Sequence, residues 1–459
     1  MMETCDVLVI GAGPGGLAAA KSACDHGAGK VVVIERDDHP GGILQQCIHD
    51  GFGLIRYGAQ LSGPEYAARA CQEATNAGAE IRLGCQAVHI SDNRVVTAVS
   101  REGMLQIHAD TIVLSTGCRE RTRGAIAIPG TRPAGVFTAG VVQNFVNMHN
   151  IMVGKAVVIL GSGDIGLIMA RRLSLEGATV KAVIEVMPSP CGLARNISQC
   201  LYDFDIPIYV SHTVSRIVGD HRLEGVEISE VDEHMQVVAG TTQYMPCDTL
   251  VLSVGLIPEN ELAEAAGVRV DPKTNCVLTD DYLQTSVAGI FSCGNSRRIM
   301  DLADFVSEQG ELAGENAVHH LRGEPMHRWD STRGTAMKKG FPEENSITCT
   351  LCPNGCQVIW NEEEQEFSGN RCPRGAKFAA AERETPVRTL TTTMRVYGGC
   401  KPLISVRTRT AVKKTDIFPL IEKLRSISVK APVSIGDTLY ENGDICVIAT
   451  ESLPQSQRS

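Results

Sequence analysis

Continuous apolar runs, rather than alternating ones, mark the strands of this chain. Val7-Leu8-Val9-Ile10 and Val31-Val32-Val33-Ile34 are each four consecutive aliphatic residues, the pattern of a parallel strand covered on both faces. Val157-Val158-Ile159-Leu160 repeats it, and strand-like segments around 80–115 end at Thr111-Ile112-Val113-Leu114-Ser115. A run at Leu250-Val251-Leu252-Ser253 closes a second group of strands that begins near residue 152, and Pro129-Gly130 marks the crossing between the groups. Near 279–295, Gly289-Ile290-Phe291-Ser292 predicts a strand returning to the first group, and a helix is predicted over roughly 304–321. Residues 323–345 mix Gly, Pro and both charges, the composition of a linker. Beyond it, Leu403-Ile404-Ser405-Val406 through Asp437 reads as β-rich with one short helix. Strands alternating with helical stretches predict an α/β chain with a smaller α+β tail.

The residues just after two of these strands narrow the picture. Gly11-Ala12-Gly13-Pro14-Gly15-Gly16 comes after the first, with Ala20, Gly27 and Glu35 further on. Gly161-Ser162-Gly163-Asp164-Ile165-Gly166 comes after the other, with Ala170, Gly177 and Glu185, every marker displaced by 150. In a strand–turn–helix unit the first glycine permits the tight turn. The second lets backbone approach a pyrophosphate, and the third lets the helix pack closely on the strand. The phosphates then meet unpaired N–H groups and the positive end of a helix dipole. Glu35 and Glu185 end the second strand of each unit, placed to accept hydrogen bonds from a ribose 2′-hydroxyl. A carboxylate at 185 disfavours a 2′-phosphate, and no Arg directly follows it, so NAD(H) is expected over NADP(H); Arg195 lies nearby in sequence. Two such units imply two bound dinucleotides, and electrons passing between them.

At 459 residues the chain has room for about three domains. The expected division is a discontinuous first dinucleotide domain, 1–150 with 258–322; a second dinucleotide domain inserted into it, 151–257; a linker, 323–345; and a cysteine-rich domain, 346–459. The net charge of −10 argues against wholesale binding of nucleic acid or anionic membrane. No apolar run reaches the ~18 residues of a transmembrane helix. The first strand begins at Cys5, which leaves no room for a signal peptide. Seventeen cysteines without an export signal imply a reducing, cytoplasmic setting, where clusters serve metals or redox chemistry rather than disulfides.

Residues 1–322 resemble the pyridine-nucleotide:flavin oxidoreductase superfamily, a fold of two Rossmann-like dinucleotide-binding domains. The resemblance implies FAD on Gly11, Gly13, Gly16 and Glu35, and NAD(P)H on Gly161, Gly163, Gly166 and Glu185. Thr116-Gly117 matches the superfamily's strand end beside FAD, and Gly255, before the Pro258 turn, matches its counterpart in the nucleotide domain. Phe291-Ser292-Cys293-Gly294-Asn295 matches the second FAD motif, with Cys293 for Ala and Asn295 for Asp. If the N-terminus of the following helix, near Ser307-Glu308-Gln309-Gly310, points at the flavin pyrimidine, its dipole stabilises the anionic reduced ring. The superfamily's disulfide reductases carry a paired-cysteine motif. Here only Cys47 follows Gly41-Gly42, and Cys191 and Cys200 are too far apart for CxxC. Cys47 is either a single redox cysteine near the flavin or a packed core thiol; His49 beside it is read as a loop histidine.

Cys349, Cys352, Cys356 and Cys372 form C-x2-C-x3-C-x15-C. Structural zinc usually draws two separated pairs, whereas a tight triplet with a distant fourth, two of them followed by Pro, suits a [4Fe–4S] cube; zinc and unligated thiols remain open. The segment resembles the N-terminal cluster motif of molybdopterin oxidoreductases. Cys349 to about Glu451 resembles a small bacterial domain family of unknown function named for CxxCxxGC, found with glycerol-3-phosphate oxidising flavoproteins. Between Pro386 and Lys430 ten basic residues face two acids, either a solvated surface or a dock for an acidic partner. The expectation is an FAD-dependent NAD(H) oxidoreductase relaying electrons through a cluster to or from a partner redox subunit, in a hetero- or homo-oligomer. Such an arrangement also resembles the nucleotide-binding subunits of heteromeric amine and imino-acid dehydrogenases. A self-contained NADH-dependent thiol, quinone or oxygen reductase with a zinc-braced tail is one alternative, and a non-catalytic redox-sensing or assembly subunit is another.

Overall fold

The computed structural model describes residues 2–333 and 337–456. Part of the expected linker (334–336) and the end of the expected tail domain (457–459) lie outside the described residues. The chain divides into two compact units, residues 1–119 with 256–335, and residues 120–255 with 336–459.

The first unit is built on a seven-stranded sheet. Strand Glu3–Ile10 lies at its centre, parallel to Val31–Ile34 on one side and to Gly103–Leu114 on the other. Ile290–Ser292 joins in parallel beside Ile112–Leu114, so the strand that comes back after residue 279 does complete this sheet. Val7, Val9, Val31 and Val33 face helices Pro14–Asp25, Gly63–Asn76 and Ala303–Arg322, sharing a core with Leu17, Tyr66, Ala67, Ala313 and Ala317. Leu8, Ile10, Val32 and Ile34 face the other way, onto Ile90, Val96 and Ile107. Burial on both faces is why these strands read as unbroken apolar runs. Helix Ala303–Arg322 lies against Pro14–Asp25 at backbone distance. A Cβ at Gly310 would stand 2.9 Å from Gly15 Cα, and one at Gly314 3.0 Å from Ala19 Cα.

The second unit opens with a five-stranded parallel sheet in the order Val136–Thr138, Thr249–Leu252, Ala156–Leu160, Thr179–Ile184, Ile208–Tyr209. The expected boundary at residue 150 therefore falls inside this unit. Val136 pairs with Leu250, and helix Ala139–His149 buries Val142 and Val146 against Ile159 and Leu173. Alternation within 120–150 is too short for a sequence reading to assign it to the second sheet. An antiparallel layer, His212–Gly219, Leu223–Glu230 and Gln243–Pro246, follows.

The tail belongs to the same unit. It has a small sheet, Ile347–Thr348, Gln357–Asn361 and Glu366–Ser368, then helix Pro373–Glu384, then a five-stranded sheet covered by helix Ile417–Arg425. Ile417–Arg425 is the short helix expected between Leu403 and Asp437, and Pro373–Glu384 precedes that span. Leu175 of the second fingerprint's helix lies in the tail's core with Ile404, Val406, Ile417 and Leu420. Buried Arg172 donates to Asn147, Thr392 and Thr393 and pairs with Glu176. Arg388 forks onto both Asp203 and Glu382, Lys414 reaches Asp203, and Arg425 reaches Glu176. Part of the basic stretch is therefore spent on the chain's own nucleotide fold. Burial opposes ionisation of Asp203, yet Arg388 and Lys414 outweigh it and hold the carboxyl below its usual range.

Candidate functional site: two phosphate turns and a cysteine loop

Both glycine turns are wired alike. Gly11 and Gly161 sit at φ +101° and +97°, and a Cβ on either would collide with a carbonyl oxygen, of Ser115 or Ser253. Only glycine meets both demands. The N–H of Gly11 donates to Ile34 O, and that of Gly161 to Ile184 O. Glu35 accepts from the N–H of Ala12 at 2.8 Å and of Asp37 at 3.0 Å. Glu185 accepts from the N–H of Ser162 and of Met187, each at 2.9 Å. Each carboxylate thus braces its own turn with lone pairs left over for ribose.

The middle glycines are different. No atom lies within 4 Å of a Cβ built on Gly13, and only Ser253 does for Gly163. Each is the N-cap of its helix, Pro14–Asp25 or Asp164–Leu175, and neither helix has a side-chain cap. Open space in front of uncapped N–H groups fits a pyrophosphate. Gly16 and Gly166 fill the third role, since a Cβ there would strike the Gly11 or Gly161 carbonyl oxygen.

Around the first turn, Gly42 closes in, with Gly13 Cα 3.4 Å from its Cβ direction, and Gly41 N–H donates to Ala12 O. Thr116 N lies 3.6 Å from the Cβ direction of Gly11, and Gly117 follows at φ +73°. Gly294 N–H donates to Gln309 Oε1 at 2.7 Å. Gln309 is fully buried, and its Nε2 has no hydrogen-bond partner among the described residues. An orphaned buried donor beside the open turn is what a bound polar group would satisfy. The helix carrying it starts at Ala303, so Ser307–Gly310 form its second turn rather than its N-terminus, where dipole stabilisation is strongest. Asn295 is engaged internally: Nδ2 donates to Cys118 Sγ and Oδ1 accepts from Met300 N–H. Cys47 is half-buried at the end of a 3-10 turn, its carbonyl accepting from Gly63 N–H, and His49 rests on the Asp50 carbonyl. Cys293 lies buried under Gly15, its thiol pushed up to about 12 by burial. None of the seventeen cysteines is in a disulfide.

Around the second turn, Ser162 adds what Ala12 lacks. Its hydroxyl donates to Glu185 and accepts the Cys191 N–H at 2.9 Å. Asp164 Oδ1 accepts from Leu193 N–H at 2.9 Å and from Asn196 Nδ2 at 2.8 Å. Arg195 is buried with its Nε against Asn196. Gly255, at φ +105°, accepts Arg121 N–H. The Asp164 anchor is absent from the sequence reading, and an acid just after a phosphate-turn glycine is its only trace there.

The segment 191–196 so held is the floor of the cysteine loop. A Cβ on Gly355 would lie 3.6 Å from Arg195 N and 3.8 Å from Ala194 Cβ. Ala194 N–H donates to Lys338 O and Gly340 N–H to Gly192 O, which places residues 338–340 of the expected linker in contact with this fold. Cys349 N–H donates to Cys356 O, and burial pushes the Cys349 thiol up, with Cys352, Cys356 and Cys372 adding to the effect. The four thiols are therefore neighbours. Cys372 is the N-cap of helix Pro373–Glu384, and N–H groups of Gly375 and Arg374, with the Arg374 side chain, hold its thiol low. Among the described residues no three of these sulfurs lie within 4.8 Å of one another.

Comparison with known proteins agrees with the dinucleotide-binding fold. An opine oxidase subunit of Agrobacterium tumefaciens (strain Ach5) is 26% identical, over 69% of this chain and 66% of that protein. Thioredoxin reductase of Treponema pallidum (strain Nichols) is 27% identical, over 70% of this chain and 98% of that enzyme. The crystal structure of T. acidophilum thioredoxin reductase superposes with a TM-score of 0.57 at 22% identity, over 69% of this chain and 98% of that one, a likeness of fold. Residues 373–450 match a model described as a protein of unknown function (DUF1667), which begins just past Cys372. Residues 5–310 match the model for pyridine nucleotide-disulphide oxidoreductases, and with both dinucleotide turns in place the chain belongs to that family of FAD/NAD(P) oxidoreductases.

Proposed function

We propose that this chain is the NAD(H)-linked member of a redox assembly, with FAD on the Gly11 turn, NAD(H) on the Gly161 turn and a [4Fe–4S] cluster on Cys349, Cys352, Cys356 and Cys372. The observation that carries the reading is the bracing of the cysteine loop by segment 191–196, which is itself hydrogen-bonded to the second phosphate turn. A flavin takes up a hydride and gives electrons back singly, which is the conversion a nicotinamide and an iron–sulfur cluster need between them. The tight C-x2-C-x3-C triplet with its distant fourth cysteine supports the cluster. Glu185 supports NAD(H): its carboxylate is fixed at the strand end, where a 2′-phosphate would meet like charge. The opine oxidase relative is named as one subunit of its enzyme, which supports a partner here. By the resemblance of the tail, that partner oxidises glycerol-3-phosphate, in the cytoplasm.

Anaerobically purified protein is expected to contain about four irons per chain. Cys352→Ser should abolish the iron while NADH still bleaches the flavin. Stoichiometric zinc without iron would overturn the relay. A second reading, a self-contained NADH-dependent disulfide reductase, is favoured by the coverage of 98% of a thioredoxin reductase. NADH-driven reduction of a disulfide by the Cys352→Ser protein alone would establish that reading instead.

A further inference from the structure

Helix Pro14–Asp25 carries the phosphate turn at its start and His26 at its end, about 18 Å away at 1.5 Å per residue. At that far end three more side chains converge. Glu315 and His319, one turn apart on helix Ala303–Arg322, share a face. His327 arrives from the segment after the helix, clamped by buried Asn316. The His327 N–H donates to Asn316 Oδ1, and Asn316 Nδ2 donates to His327 O, each at 2.8 Å. One ligand atom from each of Glu315, His319 and His327 lies within 4.8 Å of the other two. Glu315 Oε1 is 2.7 Å from His327 Nδ1 and 3.4 Å from His26 Nε2. The His319 ring stands edge-on to both, at 5.8 Å from His26 and 5.4 Å from His327.

The hydrogen bonding around this cluster leaves a buried ring nitrogen unpartnered among the described residues. His26 Nδ1 is 2.8 Å from the Ser22 carbonyl oxygen, which can only accept, so that nitrogen carries the proton. The His26 Nε2 faces the Glu315 carboxylate at 3.4 Å. His319 Nδ1 is buried and has no hydrogen-bond partner among the described residues, and its Nε2 lies 3.8 Å from the Glu324 carboxylate. A carbonyl on the outer nitrogen, as Ser22 provides for His26, is a usual support of a metal-bound imidazole.

We propose that Glu315, His319 and His327, with His26 as fourth ligand, bind a divalent transition ion of the zinc class. Three imidazoles and one carboxylate are the donor set such ions prefer, and they exclude the hard, all-oxygen ions calcium and magnesium. Ligands at about 2.1 Å from a tetrahedral ion stand about 3.4 Å apart, inside the 4.8 Å spread of the Glu315, His319 and His327 ligand atoms. A surface cavity of about 400 Å³, bounded by Glu308, Glu311, Glu315, Arg328 and Trp329, gives an ion its way in. With four protein ligands the site has no open position. It is a structural clip that ties the ends of the two glycine-packed helices to the segment after them.

Co2+ titrated into the full-length protein tests this, because thiolate ligation in the tail gives an intense sulfur-to-metal charge-transfer band that nitrogen and oxygen ligands do not. The expected result is one equivalent of Co2+ with visible ligand-field bands and no added charge transfer. It should be retained in Cys352→Ser and weakened at least tenfold in His319→Gln and in His327→Gln. Zn2+ should raise the thermal midpoint of the parent protein and leave that of His319→Gln unmoved. Should His319→Gln fail to fold, His26→Gln reads the same site from another helix. Co2+ uptake wholly accompanied by charge transfer, or unchanged in the histidine variants, would overturn the proposal and leave a hydrogen-bonded surface cluster.

Discussion

The two phosphate turns share a backbone and differ in what they are tied to. Each has a left-handed glycine, an open N-cap glycine and a carboxylate bracing the residue between. At that intervening position Ala12 offers only backbone, and its carbonyl takes Gly41 N–H. Ser162 offers a hydroxyl as well, and that hydroxyl reaches Cys191 at the head of the segment under the cysteine loop. The helices diverge in the same sense. The first packs against Ala303–Arg322 through bare backbone at Gly310 and Gly314; the second presents Arg172 and Leu175 to the tail. A duplicated turn keeps its nucleotide chemistry, and the residues not facing the nucleotide decide which neighbour it serves.

The strongest break is to give both turns the same insult. Gly13→Asp puts a carboxylate into the open space before an uncapped helix, so the purified protein should carry no flavin by absorbance. Gly163→Asp should retain the flavin spectrum and lose bleaching by NADH. Equal loss of flavin in both, or a normal spectrum in Gly13→Asp, would show that the turns do not hold the cofactors assigned to them.

The tail seam comes next. Arg388 forks onto Asp203 and Glu382 with side chains largely shielded from water. Arg388→Met leaves two carboxylates without their main cation, a loss of about 3–5 kcal/mol for a buried pair broken from one side. Urea unfolding followed through Trp360 fluorescence in the tail should show a lower midpoint. An unshifted midpoint would mean the tail does not depend on this seam.

How much of this is legible in the sequence depends on how far apart the causes lie. The glycines, Glu35 and Glu185 can be read because a phosphate turn and its acid are local, within one strand–helix–strand unit. The returning strand at 290–292 can be read from its apolar run. Arg172, Arg388 and Asp164 cannot, since their partners are 220, 185 and 29 residues away and nothing local distinguishes them from surface charges. The helix start near 304 is legible, and it is the placing of Ser307–Gly310 at its N-terminus that fails, since the helix begins at Ala303. His26, Glu315, His319 and His327 are hidden in the same way as the long-range partners: one of them comes from the opposite end of the first unit's sequence.

A subtler test makes the second turn resemble the first. Ser162→Ala removes one hydrogen bond to the Glu185 carboxylate and leaves Cys191 N–H without its acceptor. The expected loss is about 1–3 kcal/mol, felt in NADH affinity and in tail stability together. The mirror substitution Ala12→Ser should give the first turn no comparable gain, since Gly41 N–H there is already satisfied by a carbonyl. Weakened NADH binding with an unchanged tail would separate the two roles of the serine.

The smallest effect is one of pH. Asp203 is partly buried, which raises its pKa, but Arg388 and Lys414 more than offset this, so its folded value lies below the unfolded value near 3.9. A carboxyl lowered on folding stabilises the protein at every pH above its unfolded pKa. That contribution disappears as pH falls through the folded pKa, because the folded state must then take up a proton it had excluded. Stability of the second unit should therefore be flat near neutrality and decline below about pH 4. In Arg388→Met the decline attributable to Asp203 should be shallower, since the variant has already lost most of what acid removes. Acid titrations of the two proteins with parallel slopes would show that Arg388 does not set the ionisation of Asp203.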